Sequence, residues 1–185
     1  MTDHSNYKKV FIDTAPFIYF FEGGSDLSLK SRDMFLKLIN GDYEIFTSYI
    51  SEVEMKVLPQ RNKQTKKMII MDNFFEEFGI NKLGIGIREY KTALEIRANY
   101  TSVKLIDAFQ LSIAINNRCD YFITNDKELK KYDQIKVILV DELKKYLVKW
   151  LLTKMHNLVI THCNKYRANV LYMHTDLRGT YYVNN

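Results

Sequence analysis

Four short apolar runs, each passing into a segment of helical periodicity, constrain this chain more than any other feature. Lys8-Lys-Val-Phe-Ile12, Tyr43-Glu-Ile-Phe-Thr47, Asp120-Tyr-Phe-Ile123 and Lys136-Val-Ile-Leu-Val140 are long enough for strands and too short for helices. The spacing between them predicts helices over 27–39, from near Ser51 to Leu58, and over 65–78, 88–99 and 103–117. Thr124-Asn125-Asp126 opens a shorter one. A further helix follows the first strand, with Pro16 in its first turn and Gly23-Gly24-Ser25 breaking it. Pro59 is expected to end or kink the helix it lies in, and Leu83-Gly-Ile-Gly-Ile87 reads as a loop. Strands that alternate with helices are joined by crossovers, which makes the sheet parallel and the fold class α/β.

The 185 residues suit one domain with an appendage. Apolar residues at 46% and charged residues at 26% exclude a disordered chain, and only 2 Pro and 7 Gly argue against a turn-rich sandwich. Cys119 and Cys163 fit neither a disulfide framework nor a zinc spacing, so a reducing compartment is expected. No 18 apolar residues run together, and Met1 to Lys9 lacks the apolar stretch of an export signal. The expectation is therefore a cytoplasmic protein without membrane contact.

The net charge of +5 is uneven. Residues 1–143 hold 20 basic and 21 acidic side chains, whereas 144–185 hold 7 basic ones against Asp176 alone. The chain divides accordingly into a domain at 1–145 and a basic C-terminal extension at 146–185. An amphipathic helix is predicted over 141–160, carrying Trp150 among leucines, and its stripe is expected to pack on the domain. A tyrosine-rich tail follows, in which 169–173 alternates like a strand.

Four acids stand where chemistry is expected. In an open parallel sheet, ligands bind outside the carboxyl ends of the strands. Asp13 follows the first predicted strand and Asp126 the third; Glu54 lies in the first turn of the helix after the second. Asp107 interrupts the apolar helix Leu105-Ile-Asp-Ala-Phe109, where an unpaired buried carboxylate is costly. Carboxylates that converge repel one another unless a cation holds them, and all-oxygen ligands suit Mg²⁺ or Mn²⁺. Such ions serve phosphodiester hydrolysis by activating water and neutralising charge. Each acid also has a plainer explanation: Asp13 as an N-cap, Ser51-x-x-Glu54 and Asn125-x-x-Glu128 as capping boxes, Asp126 as a first-turn charge. Lys56, Arg61, Lys63, Lys66 and Lys67 beyond Glu54, and Lys127, Lys130 and Lys131 beyond Asp126, are placed to hold a phosphate backbone. The histidines His4, His156, His162 and His174 lie far from the acids in sequence, and no GxSxG occurs.

Val10-Phe-Ile-Asp13-Thr-Ala15, Thr47-Ser48 with Glu54 beyond, Leu105-Ile-Asp107-Ala-Phe-Gln-Leu-Ser-Ile-Ala114 and Phe122-Ile-Thr124-Asn-Asp126, in this order, resemble the PIN-domain family, whose best-known bacterial members are VapC-type toxins. The resemblance covers roughly residues 8–143. It implies a three-layer α/β/α sandwich around a central parallel sheet, and a Mg²⁺- or Mn²⁺-dependent endoribonuclease that hydrolyses RNA with a metal-activated water. Carried over, Asp13, Glu54, Asp107 and Asp126 are the catalytic and metal-binding acids, Thr124 a supporting hydroxyl and Asn125 an accessory polar group. Glu54 is preferred to Glu52 because Pro59 then stands where related sequences often carry a proline; on a helix the two acids point to different faces. The resemblance also implies an antitoxin partner and a homodimer. The alternative is a catalytically silent PIN-like module that binds RNA or protein. An aspartyl-nucleophile phosphatase would need a second Asp at position 15, which is Ala.

Overall fold

The computed structural model describes residues 7–143, and the predicted extension at 146–185 lies outside them. Five parallel strands, β1 (Lys8–Ile12), β2 (Tyr43–Ser48), β3 (Asn81–Leu83), β4 (Tyr121–Thr124) and β5 (Lys136–Leu139), form one sheet in the order β3-β2-β1-β4-β5. Phe11 pairs with Phe46 on one side and Phe122 on the other, and Ile12 with Ile123. Six α-helices connect the strands: α1 (Thr14–Glu22), α2 (Asp26–Ile39), α3 (Tyr49–Arg61), α4 (Thr65–Glu77), α5 (Ile87–Asn99) and α6 (Leu105–Asn116). Short 3-10 turns follow at Lys127–Lys131 and Val140–Glu142.

Alternation along the strands builds the layers. Val10, Ile12, Ile45, Ile123 and Ile138 face a core shared with α1, α2 and α4, while Phe11, Phe46, Phe122 and Val137 face α5 and α6. Both faces are covered, which is why the strands are apolar throughout rather than alternating with polar residues. The first core is built on phenylalanine: Phe74 lies against Phe17, Phe20, Phe21, Phe35, Phe75 and Phe78, at centroid distances from 4.7 to 6.4 Å. Burying each such side chain stabilises by roughly 1.5–3 kcal/mol. The result is an α/β/α sandwich.

Three local expectations are corrected. Asn81–Leu83 is a strand, paired with Phe46, Thr47 and Ser48, although Asn-Lys-Leu has no strand-like pattern. An edge position with three residues needs no apolar alternation. Pro59 does not end its helix, since α3 continues to Arg61. So near the last turn, the proline removes a single hydrogen bond, and its ring is buried. The capping box at Ser51-x-x-Glu54 does not form: α3 starts earlier, capped by Ser48, whose Oγ accepts from Ser51 N–H at 3.0 Å.

From β1 the chain steps outward to β2 and β3, then crosses back to β4 on the other side of β1. The carboxyl ends of β1 and β4 therefore border the crevice where the winding direction reverses, the place such sheets bind ligands.

Candidate functional site

Asp13 is the residue just past β1. Its N–H donates to the carbonyl of Ile123 in β4 at 2.9 Å, which ties the two central strands together at this edge. The side chain caps α1, with Oδ1 accepting from Thr14 N–H at 2.7 Å, and is nearly fully buried. Oδ1 also accepts from Gln110 Nε2 at 3.1 Å, and Oδ2 from Thr124 Oγ1 at 2.6 Å. Thr124 in turn accepts from Asp126 N–H at 3.0 Å, so one hydroxyl joins the loops of Asp13 and Asp126. Asp126 opens the 3-10 turn by accepting from Glu128 N–H at 2.8 Å, a cap in place of the predicted Asn125-x-x-Glu128 box.

Glu54 faces the same place from α3. Thr14 Oγ1 donates to Glu54 Oε2 at 2.5 Å, and α1 and α3 pack together. Asp107 sits in the first turn of α6, half-buried. Glu52 points elsewhere: Lys56 reaches it at 2.6 Å and Lys82 at 3.0 Å.

Electrostatics link the four acids. Burial pushes Asp13 up to about 6; hydrogen bonds from Thr124 and Thr14 pull it down, and the charges of Asp107 and Glu54 push it up. Asp107 is raised first by burial and then by Asp126, lowered by Lys104 and its backbone N–H, and raised by Glu54. Among the described residues none of the four makes an ion pair, whereas Glu52 makes two. The structure thus places, around the switch point of the sheet, carboxylates from four segments that raise one another's affinity for protons; among the described residues they form no ion pair, and Lys104 is the cation that acts on Asp107.

The PIN-domain family model matches residues 10–135. The chain belongs to the PIN-domain family. Among solved structures, a toxin–antitoxin complex from Klebsiella pneumoniae is similar with a TM-score of 0.57 at 20% identity, over 71% of this chain and 97% of that one. VapBC2 from Rickettsia felis, bound to a DNA fragment from its promoter, has a TM-score of 0.57 at 15% identity, over 71% and 98%. At these identities the likeness is one of fold. A comparison with curated proteins gives no match.

The donor set of this PIN domain suits a hard divalent cation: all oxygen and anionic. Among the described residues, no three His, Cys, Asp or Glu side chains stand close enough to hold an ion directly. Mg²⁺ is commonly bound through one or two carboxylates and keeps several waters, so acids that are coupled but spaced are compatible with it. Burial pushes the Cys119 thiol up to about 12, which disfavours its reactive thiolate.

Some of the predicted phosphate-holding lysines of the PIN domain are committed elsewhere. Lys56 pairs with Glu52 and Asp72, Lys130 with Glu142 at 2.6 Å and Lys131 with Glu128 at 2.5 Å. Arg61, Lys63, Lys66 and Lys67 make no ion pair among the described residues. Sequence reasoning gave no role in the site to Thr14, Ser48, Ser51 and Gln110, which the fold brings to the acids. The available signal was Gln110, a polar residue one helical turn beyond Asp107 in an otherwise apolar helix.

Proposed function

We propose that this PIN domain is a Mg²⁺- or Mn²⁺-dependent endoribonuclease acting as the toxin of a toxin–antitoxin pair. The observation that carries the reading is the set of four carboxylates, Asp13, Glu54, Asp107 and Asp126, coupled through Asp13 and Asp107 and without an ion pair among the described residues. A bound divalent ion would supply an activated water and charge neutralisation at the phosphodiester. The protein's own part is to present the acids. Asp13 lies innermost and buried, Asp107 and Asp126 are half-buried, and Glu54 is exposed. Thr124 keeps Asp13 and the Asp126 loop at a fixed separation through its two hydrogen bonds.

The RNA backbone is held by Arg61, Lys63, Lys66 and Lys67, on and between α3 and α4, which form no ion pair among the described residues. Arg61 lies seven residues beyond Glu54, so the two share a face of α3 about 10 Å apart along the axis. No acid occurs between Glu54 and Asp72, while Arg61, Lys63, Lys66 and Lys67 all do. Protein partners, an antitoxin and a second copy, have apolar ground to cover. Tyr49, Val53 and Val57 form an exposed stripe on α3, and Ile87, Tyr90 and Leu94 another on α5. No helix among the described residues is long and apolar enough to cross a membrane, and we place the protein in the cytoplasm.

The test is cleavage of RNA and of DNA by the purified full-length chain and its Asp107→Asn variant, with Mg²⁺, Mn²⁺ or EDTA. RNA cleavage that needs the metal and disappears in the variant supports the reading. Cleavage that survives both EDTA and the substitution defeats it. A second reading, a silent module that binds RNA or protein, draws on the spacing of the acids; it prevails if the folded protein binds RNA yet binds no metal and cuts nothing.

A further inference from the structure

Gln110 occupies the centre of the site without being an acid. It projects from α6, one turn beyond Asp107, and is 1% exposed. Its Nε2 donates to Asp13 Oδ1 at 3.1 Å and to Thr14 Oγ1 at 3.0 Å. Its Oε1 accepts from Ser48 Oγ at 2.9 Å and Ser51 Oγ at 3.1 Å. A carboxylate only accepts, so the amide orientation is dictated: nitrogen toward Asp13, oxygen toward the serines.

An amide has two hydrogens to donate and two lone pairs to accept with, and here all four are committed. Gln110 therefore has nothing left to offer an ion or a substrate, and any role it has is exercised through its partners. Those partners are informative. Asp13 ends β1 and caps α1. Thr14, the next residue, passes its own hydrogen to Glu54. Ser48 caps α3, the helix that carries Glu54. One side chain thus binds the supports of two acids to the helix of a third.

We propose that Gln110 is a positioning residue for the acid cluster. Its amide fixes Asp13 directly and Glu54 through Thr14, holding both in register with Asp107 on its own helix. This rests on the nuclease reading above. A buried, fully satisfied network is rigid, and supporting residues behind metal-binding carboxylates typically matter about 10- to 100-fold for affinity.

The experiment is a Mn²⁺ titration followed by electron paramagnetic resonance on the full-length chain. It compares wild type, Gln110→Met, Thr14→Val and the double variant, each with a thermal melt and an RNA-cleavage assay. Gln110→Met keeps length and removes the amide; Thr14→Val keeps shape and removes the hydroxyl. Each single substitution is expected to weaken Mn²⁺ binding about tenfold or more, and the double about as much as the worse single, because both break one relay. Leu38→Ala, in the opposite core, controls for stability and is expected to lower the melting temperature with Mn²⁺ affinity unchanged.

Mn²⁺ binding by Gln110→Met within twofold of wild type overturns the proposal. So do losses that multiply in the double variant, or an equal loss in Leu38→Ala. Should Gln110→Met fail to fold, Thr14→Val decides alone, and unchanged Mn²⁺ binding there is fatal. A wild type that neither binds Mn²⁺ nor cuts RNA strikes the nuclease reading itself, whereas a competent wild type with an indifferent Gln110→Met strikes only this inference.

Discussion

The two ends of the sheet treat carboxylates in opposite ways. At the amino ends of the strands, Asp120 receives Lys8 Nζ at 2.8 Å and Lys9 N–H at 2.8 Å, and Lys9 Nζ lies 3.7 Å from Glu44. Although partial burial opposes it, the hydrogen bonds and charges of Lys8 and Lys9 hold Asp120 below the usual aspartate range. At the carboxyl ends, Asp13 is pushed up to about 6 and Asp107 is raised, and neither has an ion-pair partner among the described residues. One residue type serves at one end to join strands and at the other carries an uncompensated charge. Charge compensation, rather than the presence of acids, distinguishes the two ends.

Asp13→Asn breaks the comparison with the largest effect. RNA cleavage is expected to fall on the order of a hundredfold or more, as when a group that stabilises transition-state charge is lost. Metal-free stability at pH 7 is expected to rise by about 1–3 kcal/mol, because a buried unpaired charge disappears. Urea unfolding in EDTA beside the cleavage assay checks both; a variant that loses activity by unfolding refutes the account.

The pH dependence of metal-free stability comes next. Asp13 has a folded pKa of about 6 against an ordinary aspartate value of 3.8. Its protonated form is therefore favoured in the folded state. Its stability contribution is full below about pH 4 and is lost as pH rises through 6, a difference of about 3 kcal/mol. Asp107 works in the same direction. Asp120, with a lowered pKa, has the opposite sign: its contribution is present above the unfolded value and disappears as pH falls through the folded one. Unfolding between pH 4 and 7 should thus show stability rising as pH falls in wild type and a flatter curve in Asp13→Asn. Parallel curves would contradict the assignment.

Asp120→Asn probes the other end. It should cost roughly 1 kcal/mol of stability, in keeping with a partly exposed ion pair plus one backbone hydrogen bond, and leave Mn²⁺ affinity and cleavage untouched. The smallest effect is expected of Glu52→Gln. Glu52 is engaged by Lys56 and Lys82, so cleavage should stay within about twofold while Glu54→Gln loses it. Kinetics on the two variants side by side would reverse the choice of acid if Glu52→Gln proved the inactive one.

Much of this was legible in the residues. Apolar runs at 8–12, 43–47, 120–123 and 136–140 announced four strands because buried parallel strands must be apolar on both faces. The positions of Asp13 and Asp126 after two of them followed from chain order alone. The third strand was illegible, since Asn81-Lys-Leu83 owes its conformation to the open edge of β2 beside it. The partner of each carboxylate was equally beyond reach. Glu52 and Glu54 differ by two positions, and only the packing of α3 against α1 and the placing of Lys82 decide which is neutralised and which meets Thr14. Gln110 bonds to residues 59 to 97 positions away. By itself the sequence determined which segments are strands and helices and which acids end near strand termini, because these depend on local pattern. The tertiary structure alone decided which charges are compensated and which polar groups share a proton, because such contacts form between segments distant in the chain and depend on distances of a few ångströms that only the closed fold sets.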